Sequence, residues 1–265
     1  MRASPGGAAG VAPSPYPSPR GRGDAAGTRA DKLPAVDLLW EGLRQAAGLL
    51  ARGDPEVAAI ALLSLQVSLA ATGLAGLIGV PLGALLAMHR FRGRGFANAL
   101  VNTGMGLPPV VVGLVVTLFL WRTGPFGFLG LLYTPGAMAA AQTIVAAPLI
   151  VGFTRGAIEL IDPDVLHALR ADGAGGVVAG RELVFAAWPQ VLVAVAAGFG
   201  RAIAEVGASL MVGGNLAGQT RILTTTITLE TSRGDFARAI ALGAILLVLA
   251  FVVNAGLAWR GRVAA

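Results

Sequence analysis

Five long stretches of this chain carry no charged residue, and they strongly limit what it can fold into. They are residues 57–88, 95–121, 123–154, 183–200 and 239–259. A helix needs about 20 mostly apolar residues to cross a bilayer. Charged residues make up 13% of the chain, against about 25% in an average soluble domain. The pattern predicts an all-α integral membrane protein with five transmembrane helices, at about 57–88, 97–121, 135–154, 184–211 and 238–259.

The segments outside these spans differ from them in composition. Residues 1–34 are rich in Gly, Ala, Pro, Ser and Arg. Such a segment cannot bury enough apolar surface to stay ordered, so we expect a disordered tail. Residues 35–56 contain Trp40 and apolar residues near helical spacing, which predicts an amphipathic helix. It lies either at the membrane surface or packed against the protein. Residues 57–260 are expected to form the membrane domain and 261–265 a short cytoplasmic tail.

The loops between the predicted spans differ in their arginine content. One set contains eight arginines and the opposite set contains four: Arg90, Arg92, Arg94, Arg155, Arg170, Arg181, Arg260 and Arg262 against Arg122, Arg221, Arg233 and Arg238. Because basic residues concentrate in cytoplasmic loops, residues 89–94, 155–183 and the C-terminus are predicted to be cytoplasmic. With five spans the N-terminus is then predicted to lie outside, although the basic residues near it disfavour export.

The sequence lacks the groups on which several other functions depend. It contains no cysteine, and its two histidines, His89 and His167, form no recognisable metal-ligand pair. Glu205 is the one acidic residue within a predicted span, which disfavours an enzyme acting inside the membrane. The arginines are scattered and form no basic stripe of the kind that binds nucleic acid. We therefore expect no catalytic residue, no metal and no nucleic-acid partner.

Residues 155–182 form the most hydrophilic segment between two spans. Asp162 and Pro163 suit the start of a helix, "DVLHALRA" continues it for about two turns, and Gly173 suits its end. This pattern predicts a short helix that projects from the membrane on the cytoplasmic side. A plain connector between two spans is the alternative.

Four segments, in this order and spacing, resemble the membrane subunits of type I ATP-binding-cassette importers. They are "TGMGLPPVVVGL" (103–114), "YTPGAMAAAQTIVAAPLIVG" (133–152), "GFGRAIAEVGASLMVGGN" (198–215) and "TRILTTTITLETSRGDFARAIALG" (220–243). The resemblance extends over about 36–258 and is greatest to the tungstate branch, beside the molybdate and sulfate permeases. The number of spans also resembles that branch.

This resemblance implies a fold, a function and a set of partners. The fold is that of a type I importer permease, with a short cytoplasmic coupling helix. The function is to form the path of an ATP-driven oxyanion importer, with tungstate first, molybdate or sulfate as the alternative, and a scaffold without transport a further one. The implied partners are a second copy, two cytoplasmic ATPase subunits and an extracytoplasmic oxyanion-binding protein, in the cytoplasmic membrane of a bacterium or archaeon. Since the chain lacks a G-x-x-x-x-G-K-[ST] loop, ATP is expected to be used by the partner. The resemblance further implies that the chain is not an enzyme and binds no cofactor.

The same resemblance places the ATPase-coupling loop on the short cytoplasmic helix. In that family, Glu-Ala-Ala is followed by three residues and then by Gly. Aligning the pattern on Gly173 puts His167, Ala168 and Leu169 at the Glu-Ala-Ala positions, and only Ala168 matches. The predicted coupling residues are Asp164, Leu166, His167, Ala168, Leu169, Gly173 and Ala174.

Arg201 and Glu205 are candidate functional residues because they place two charges within the fourth predicted span. They lie four residues apart, so they can pair on one helix face. A charge at the bilayer centre costs at least about 2.5 kcal/mol. The pair is either a structural brace or part of the anion path, in which Arg201 attracts the anion and Glu205 keeps it from binding too tightly. Ser209, one turn further, completes this candidate group.

Two glycine-containing turns are candidate gates. Gly106, Pro108 and Pro109 either break the second span, as in transporters whose broken helices line the path, or make a simple proline kink. Gly213, Gly214 and Asn215 form the second turn. The threonine-rich segment 215–231 that follows is either an exterior loop or a source of hydroxyl groups for an oxyanion.

Overall fold

The computed structural model describes residues 35–263, so the tail predicted for 1–34 lies outside the described residues. Within them there are eleven α-helices, a single 3₁₀ turn at Gly127–Leu129, and no strand. The helices are α1 (Ala35–Arg52), α2 (Pro55–Met88), α3 (Arg94–Met105), α4 (Pro109–Leu120), α5 (Pro135–Glu159), α6 (Pro163–Ala171), α7 (Gly176–Ala186), α8 (Trp188–Ile203), α9 (Gly207–Gly213), α10 (Leu223–Ser232) and α11 (Phe236–Val263). The predicted all-α class is confirmed.

Three of the helices, α2, α5 and α11, are long and apolar enough to cross a membrane. Two further spans are present only if bent pairs are each counted as one: α3 with α4, bent by 102°, and α7 with α8, bent by 81°. A helix of 12 residues such as α3 or α4 is about 18 Å long, well short of the roughly 30 Å hydrocarbon core.

The spans predicted at 97–121 and 184–211 are therefore each interrupted. The first is interrupted between Met105 and Pro109, where Pro108 precedes a second proline and must leave the helical conformation. The second is interrupted twice. It bends at Ala187, just before Trp188 and Pro189 open α8, and it breaks again between Ile203 and Gly207.

Helix α5 lies at the centre of the molecule, in contact with α2, α3, α8 and α9. A stripe of small buried residues on α2, which are Ala71, Ala75, Gly79 and Gly83, repeats every four positions. A Cβ on Gly83 would come within 2.7 Å of the Val151 carbonyl oxygen, and one on Gly79 within 3.0 Å of Ile150. The absent side chains thus allow the two backbones to approach closely, as at small-residue interfaces in membranes.

Helix α1 combines the two arrangements expected for it. Gly42 and Ala46 are buried, and Gly42 lies directly against Ile240 of α11. Four of its apolar residues, Val36, Leu39, Trp40 and Leu43, are exposed. The helix is therefore packed on the protein by one face, and a second apolar face is free to contact lipid.

Side-chain contacts join several segments at each end of α2. At one end Glu56 forms ion pairs with Arg221 (3.8 Å) and Arg238 (3.4 Å), joining the starts of α2 and α11 to the loop before α10. At the other end Met88, Ile158 and Leu183 share an apolar cluster that joins the ends of α2 and α5 to α7.

Candidate functional site: two helix breaks around Arg201

Two helix breaks lie against each other in the bundle. One separates α3 from α4 and the other separates α8 from α9. A Cβ on Gly113 of α4 would come within 2.7 Å of Cα of Ala208 in α9, and one on Gly207 within 2.7 Å of Val110. Arg201 extends from the last turn of α8 to the first break, where its Nη2 lies 3.5 Å from the Leu107 carbonyl oxygen. This arginine therefore stands where two spans lose their regular helical structure.

The first break is built from the residues predicted for it. The Gly106 N–H donates to the Thr103 carbonyl (3.1 Å) and ends α3. Pro108 is extended, with φ −64° and ψ 121°, and Pro109 opens α4. With a bend of 102°, the segment is a true break, and the alternative of a simple proline kink is wrong.

Glu205 is buried and is hydrogen-bonded to two other parts of the chain. Its side chain is 2% exposed. One carboxylate oxygen accepts the Ala208 N–H at 2.9 Å, which fastens the first turn of α9. The backbone carbonyl oxygen of Glu205 accepts a hydrogen bond from the Thr224 hydroxyl at 3.0 Å, which connects the break between α8 and α9 to α10. Because each bond fixes backbone, this environment is that of a structural brace.

Arg201 is held much more loosely than Glu205. Its side chain is 31% exposed, and Nη1 lies 3.7 Å from the Glu205 carboxylate. This contact and the 3.5 Å contact with Leu107 are at or beyond the limit of a hydrogen bond. The guanidinium thus retains N–H groups that are available to donate hydrogen bonds to an anion. Glu205 is thus the buried, hydrogen-bonded member of the pair, and Arg201 is the partly exposed one.

Ser209 is fully buried in this structure and does not border open space. Its hydroxyl oxygen accepts the Gln142 Nε2–H at 3.0 Å, linking α9 to α5. Gln142 is itself 1% exposed, and its Oε1 finds no hydrogen-bond partner among the described residues. The sequence reading missed Gln142, although a lone amide within the uncharged run 123–154 was a usable signal.

The second candidate gate, Gly213-Gly214-Asn215, is a packed turn that ends α9. Gly214 has φ +69°, a left-handed conformation that glycine adopts without strain, and its N–H donates to the Leu210 carbonyl. A Cβ on Gly213 would lie 2.7 Å from the sulfur of Met138. Asn215 accepts the Thr225 hydroxyl at 3.0 Å. These contacts explain the residue types without a ligand.

Most of the threonine-rich segment is helical and does not form the loop that was one of its two alternatives. Residues 223–232 form α10, and Thr224, Thr225 and Thr226 are buried. The hydroxyls of Thr224 and Thr226 donate to the carbonyls of Glu205 and Ile222, at 3.0 and 2.7 Å. With these donors already used within the protein, the segment offers little to an oxyanion in this conformation.

The predicted coupling loop forms α6 and the turn after it. The Asp162 carboxylate caps the helix by accepting the Asp164 N–H at 2.9 Å. Leu166, Leu169 and Ala174 pack on the apolar cluster beneath the helix. Asp164, His167 and Ala168 are exposed and lie on the outward side, with His167 Nδ1 3.7 Å from the Asp164 carboxylate. Gly173 has φ +85°. Of the predicted residues, Leu166, Leu169 and Ala174 therefore pack the helix on the bundle, and Asp164, His167 and Ala168 are accessible from outside it.

No group of three or more histidine and acidic side chains that could hold a metal ion occurs within residues 35–263.

The fold and the paired helix breaks define a class of membrane transport proteins, and the comparisons place the chain in it. The chain belongs to the family of binding-protein-dependent transport system inner membrane components, whose model matches residues 79–261. In a solved structure of a methionine ABC transporter in an inward-facing conformation, one chain has the same fold, with a TM-score of 0.65 and 20% identity. The match covers 77% of this chain and 94% of that one. The expected type I importer permease fold is confirmed.

Two relatives found by sequence indicate which members of this family the chain is similar to. The chain is 38% identical to the tungstate uptake system permease protein of Peptoclostridium acidaminophilum, over 83% of this chain and 96% of the relative. It is 42% identical to a probable anion ABC transporter permease protein of Haloferax volcanii, over 77% of this chain and 90% of the relative. The predicted resemblance to anion permeases is confirmed.

Proposed function

We propose that this chain is the permease subunit of an ATP-driven tungstate importer in the cytoplasmic membrane of a bacterium or archaeon. The observation that carries the proposal is the similarity to a tungstate permease along almost the whole of that relative's length. The site suits a dianion. Arg201 brings positive charge to the junction of two broken helices, where most of its surroundings are apolar and uncharged. An arginine inside a membrane protein is costly and therefore usually functional.

In this proposal Arg201 attracts the anion without trapping it. Its guanidinium is partly exposed, and the nearby Glu205 carboxylate offsets its charge. A conducting site has to bind strongly enough for entry and weakly enough for release. Two copies of the chain enclose the path, and an extracytoplasmic protein delivers the oxyanion.

The energy comes from two ATPase subunits that dock on α6. The outward residues Asp164, His167 and Ala168 form the contact, while Leu166 and Leu169 transmit the force to the bundle. The chain itself binds neither cofactor nor metal and hydrolyses no ATP. The α6 end and the C-terminus face the cytoplasm, and the N-terminus lies outside, since arginines are more numerous at the α6 end.

A reconstituted complex tests this function. The chain is co-expressed with its ATPase and binding protein, and ATP hydrolysis in proteoliposomes is measured with the binding protein empty or loaded with tungstate, molybdate or sulfate. We expect co-purification with the ATPase and the strongest stimulation by tungstate. Stronger stimulation by molybdate or sulfate would overturn the substrate, and no stimulation by any oxyanion would overturn the function.

A further inference from the structure

Arg94, Glu159 and Arg155 form an ion cluster between α3 and α5, close to α6. Arg94 Nη2 lies 2.6 Å from one Glu159 carboxylate oxygen, and Arg155 Nε lies 3.5 Å from the other. The first contact is a short charge-assisted hydrogen bond. The second is an ion pair without a hydrogen bond, because Arg155 Nε finds no such partner in the described chain. One carboxylate is thus shared unequally by two arginines.

The cluster connects the coupling helix to the broken span through few steps. Glu159 is the last residue of α5, and only Leu160–Asp162 separate it from α6. Arg94 is the first residue of α3, whose far end is the break at Leu107 beside Arg201. Arg94 Nε also donates to the Leu86 carbonyl at 3.0 Å, so that the start of α3 is anchored to α2 as well. A displacement of α6 therefore acts on α3 through Glu159.

The same interface contains polar atoms that are buried and without partners. Within residues 35–263, Nε and Nη1 of Arg155 and Oδ1 of Asn98 make no hydrogen bond. Asn98 and Arg155 lie in the same part of the interface. Arg94 meets Glu159 on one side of them, and Val101 lies beside Gly152 on the other. Buried donors and acceptors without partners are unfavourable, so a small relative shift that joined them would be favoured.

We infer that these four residues are a two-position relay that transmits movement of α6 to α3. In the position seen here Glu159 is bonded to Arg94. In the other position α5 has shifted along α3, Glu159 is bonded to Arg155, and Asn98 accepts from the same guanidinium. The carboxylate stays paired with an arginine in both positions. This inference rests on the proposed coupling of α6 to an ATPase, and it does not depend on which anion is carried.

Distance measurements between spin labels test the relay without any substrate. Because the natural chain has no cysteine, labels can be placed at Leu100→Cys on α3 and Leu247→Cys on α11, both of which are exposed. In the complex with its ATPase, we expect ATP to change the distance between them by about 1–2 Å or more, the usual size of a helix shift. An unchanged distance would overturn the relay.

Two substitutions separate a relay from a merely structural cluster. Arg94→Gln removes the shared ion pair, and Asn98→Leu removes an acceptor that is unused in this position. Both should abolish the ATP-dependent distance change while leaving ATPase binding intact. Arg92→Gln is the control, because Arg92 is exposed and makes no ion pair in the described part of the chain. A distance change that persists in Asn98→Leu contradicts the second position.

Substrate stimulation of ATP hydrolysis gives a second readout. We expect Arg94→Gln and Asn98→Leu to lower the stimulation by the loaded binding protein about fivefold or more, the lower range of typical coupling between sites. Arg92→Gln should keep it. A complex that shows the ATP-dependent distance change but no response to any oxyanion would support the relay and overturn the proposed function. Full stimulation in both variants would overturn the relay instead.

Discussion

Arg201 and Glu205 are four residues apart and form an ion pair, yet their surroundings differ. Glu205 is 2% exposed and bonded to the backbone of α9, whereas the Arg201 side chain is 31% exposed and held by two long contacts. Helical spacing was enough to predict that the two charges pair. It could not predict this asymmetry, because the asymmetry arises from Ala208, Thr224 and Leu107, which come together only in the folded chain.

Substitution of Glu205 should therefore mainly lower stability, and substitution of Arg201 should mainly lower transport. Glu205→Ala leaves the buried Ala208 N–H without its acceptor, which costs about 1–3 kcal/mol, so the thermal unfolding temperature in detergent should fall. Glu205→Gln keeps an acceptor and should lose less. Arg201→Gln should unfold near the normal temperature and assemble with the ATPase, but lose most transport. If Arg201→Gln transports normally, Arg201 is not part of the anion path.

At the scale of elements, the breaks within helices matter more than the number of spans. The uncharged runs correctly indicated apolar helices, but average hydropathy does not register a bend. The local signals were present in Gly106, Pro108, Pro109 and Pro189. The burial of α10 could not be foreseen in this way, because a threonine-rich segment reads as a loop until its hydroxyls find backbone carbonyls elsewhere.

The close contact of α2 with α5 leads to a prediction about stability. In Gly83→Ala the new Cβ would lie 2.7 Å from the Val151 carbonyl oxygen, so the helices must separate, at a cost of about 1–3 kcal/mol. Gly73→Ala is the matched control, since it lies on the same helix with nothing within 4 Å. It should be neutral or stabilising by about 0.5–1 kcal/mol. Thermal unfolding of the two variants checks this. Equal stability would contradict the close packing.

The turn after α6 leads to a prediction about coupling. Gly173 has φ +85°, where a side chain costs about 1–2 kcal/mol. Gly173→Ala should therefore distort the end of α6 and lower substrate-stimulated ATP hydrolysis, while the ATPase still co-purifies. Gly175→Ala, with φ −65° and open space around it, should behave like the natural chain. If both variants respond fully to the loaded binding protein, the turn does not take part in coupling.

At the scale of the whole molecule, the loops form two groups at opposite ends of the bundle. The arginine count predicts two such groups, and the Glu56 ion pairs and the cluster beneath α6 lie at opposite ends of α2. The direction of the chain across the membrane is a separate prediction, which rests on the arginine count.

The direction can be tested by labelling single cysteines with a membrane-impermeant maleimide. Val177→Cys at the α6 end and Gln219→Cys at the opposite end are both exposed. In intact cells or spheroplasts, we expect rapid labelling of Gln219→Cys, and labelling of Val177→Cys only after the membrane is opened. The reverse pattern would invert the topology and move the proposed ATPase contact to the wrong side.

Uptake of labelled tungstate into proteoliposomes is the most direct test of the central claim. The liposomes contain the permease and its ATPase, with the ATPase facing the outside medium where ATP is supplied, and they enclose the loaded binding protein. In that orientation, transport removes tungstate from the lumen. We predict that the lumen loses tungstate only when both ATP and the binding protein are present, and that Arg201→Gln prevents most of this loss. ATP hydrolysis without movement of tungstate, molybdate or sulfate would contradict the account.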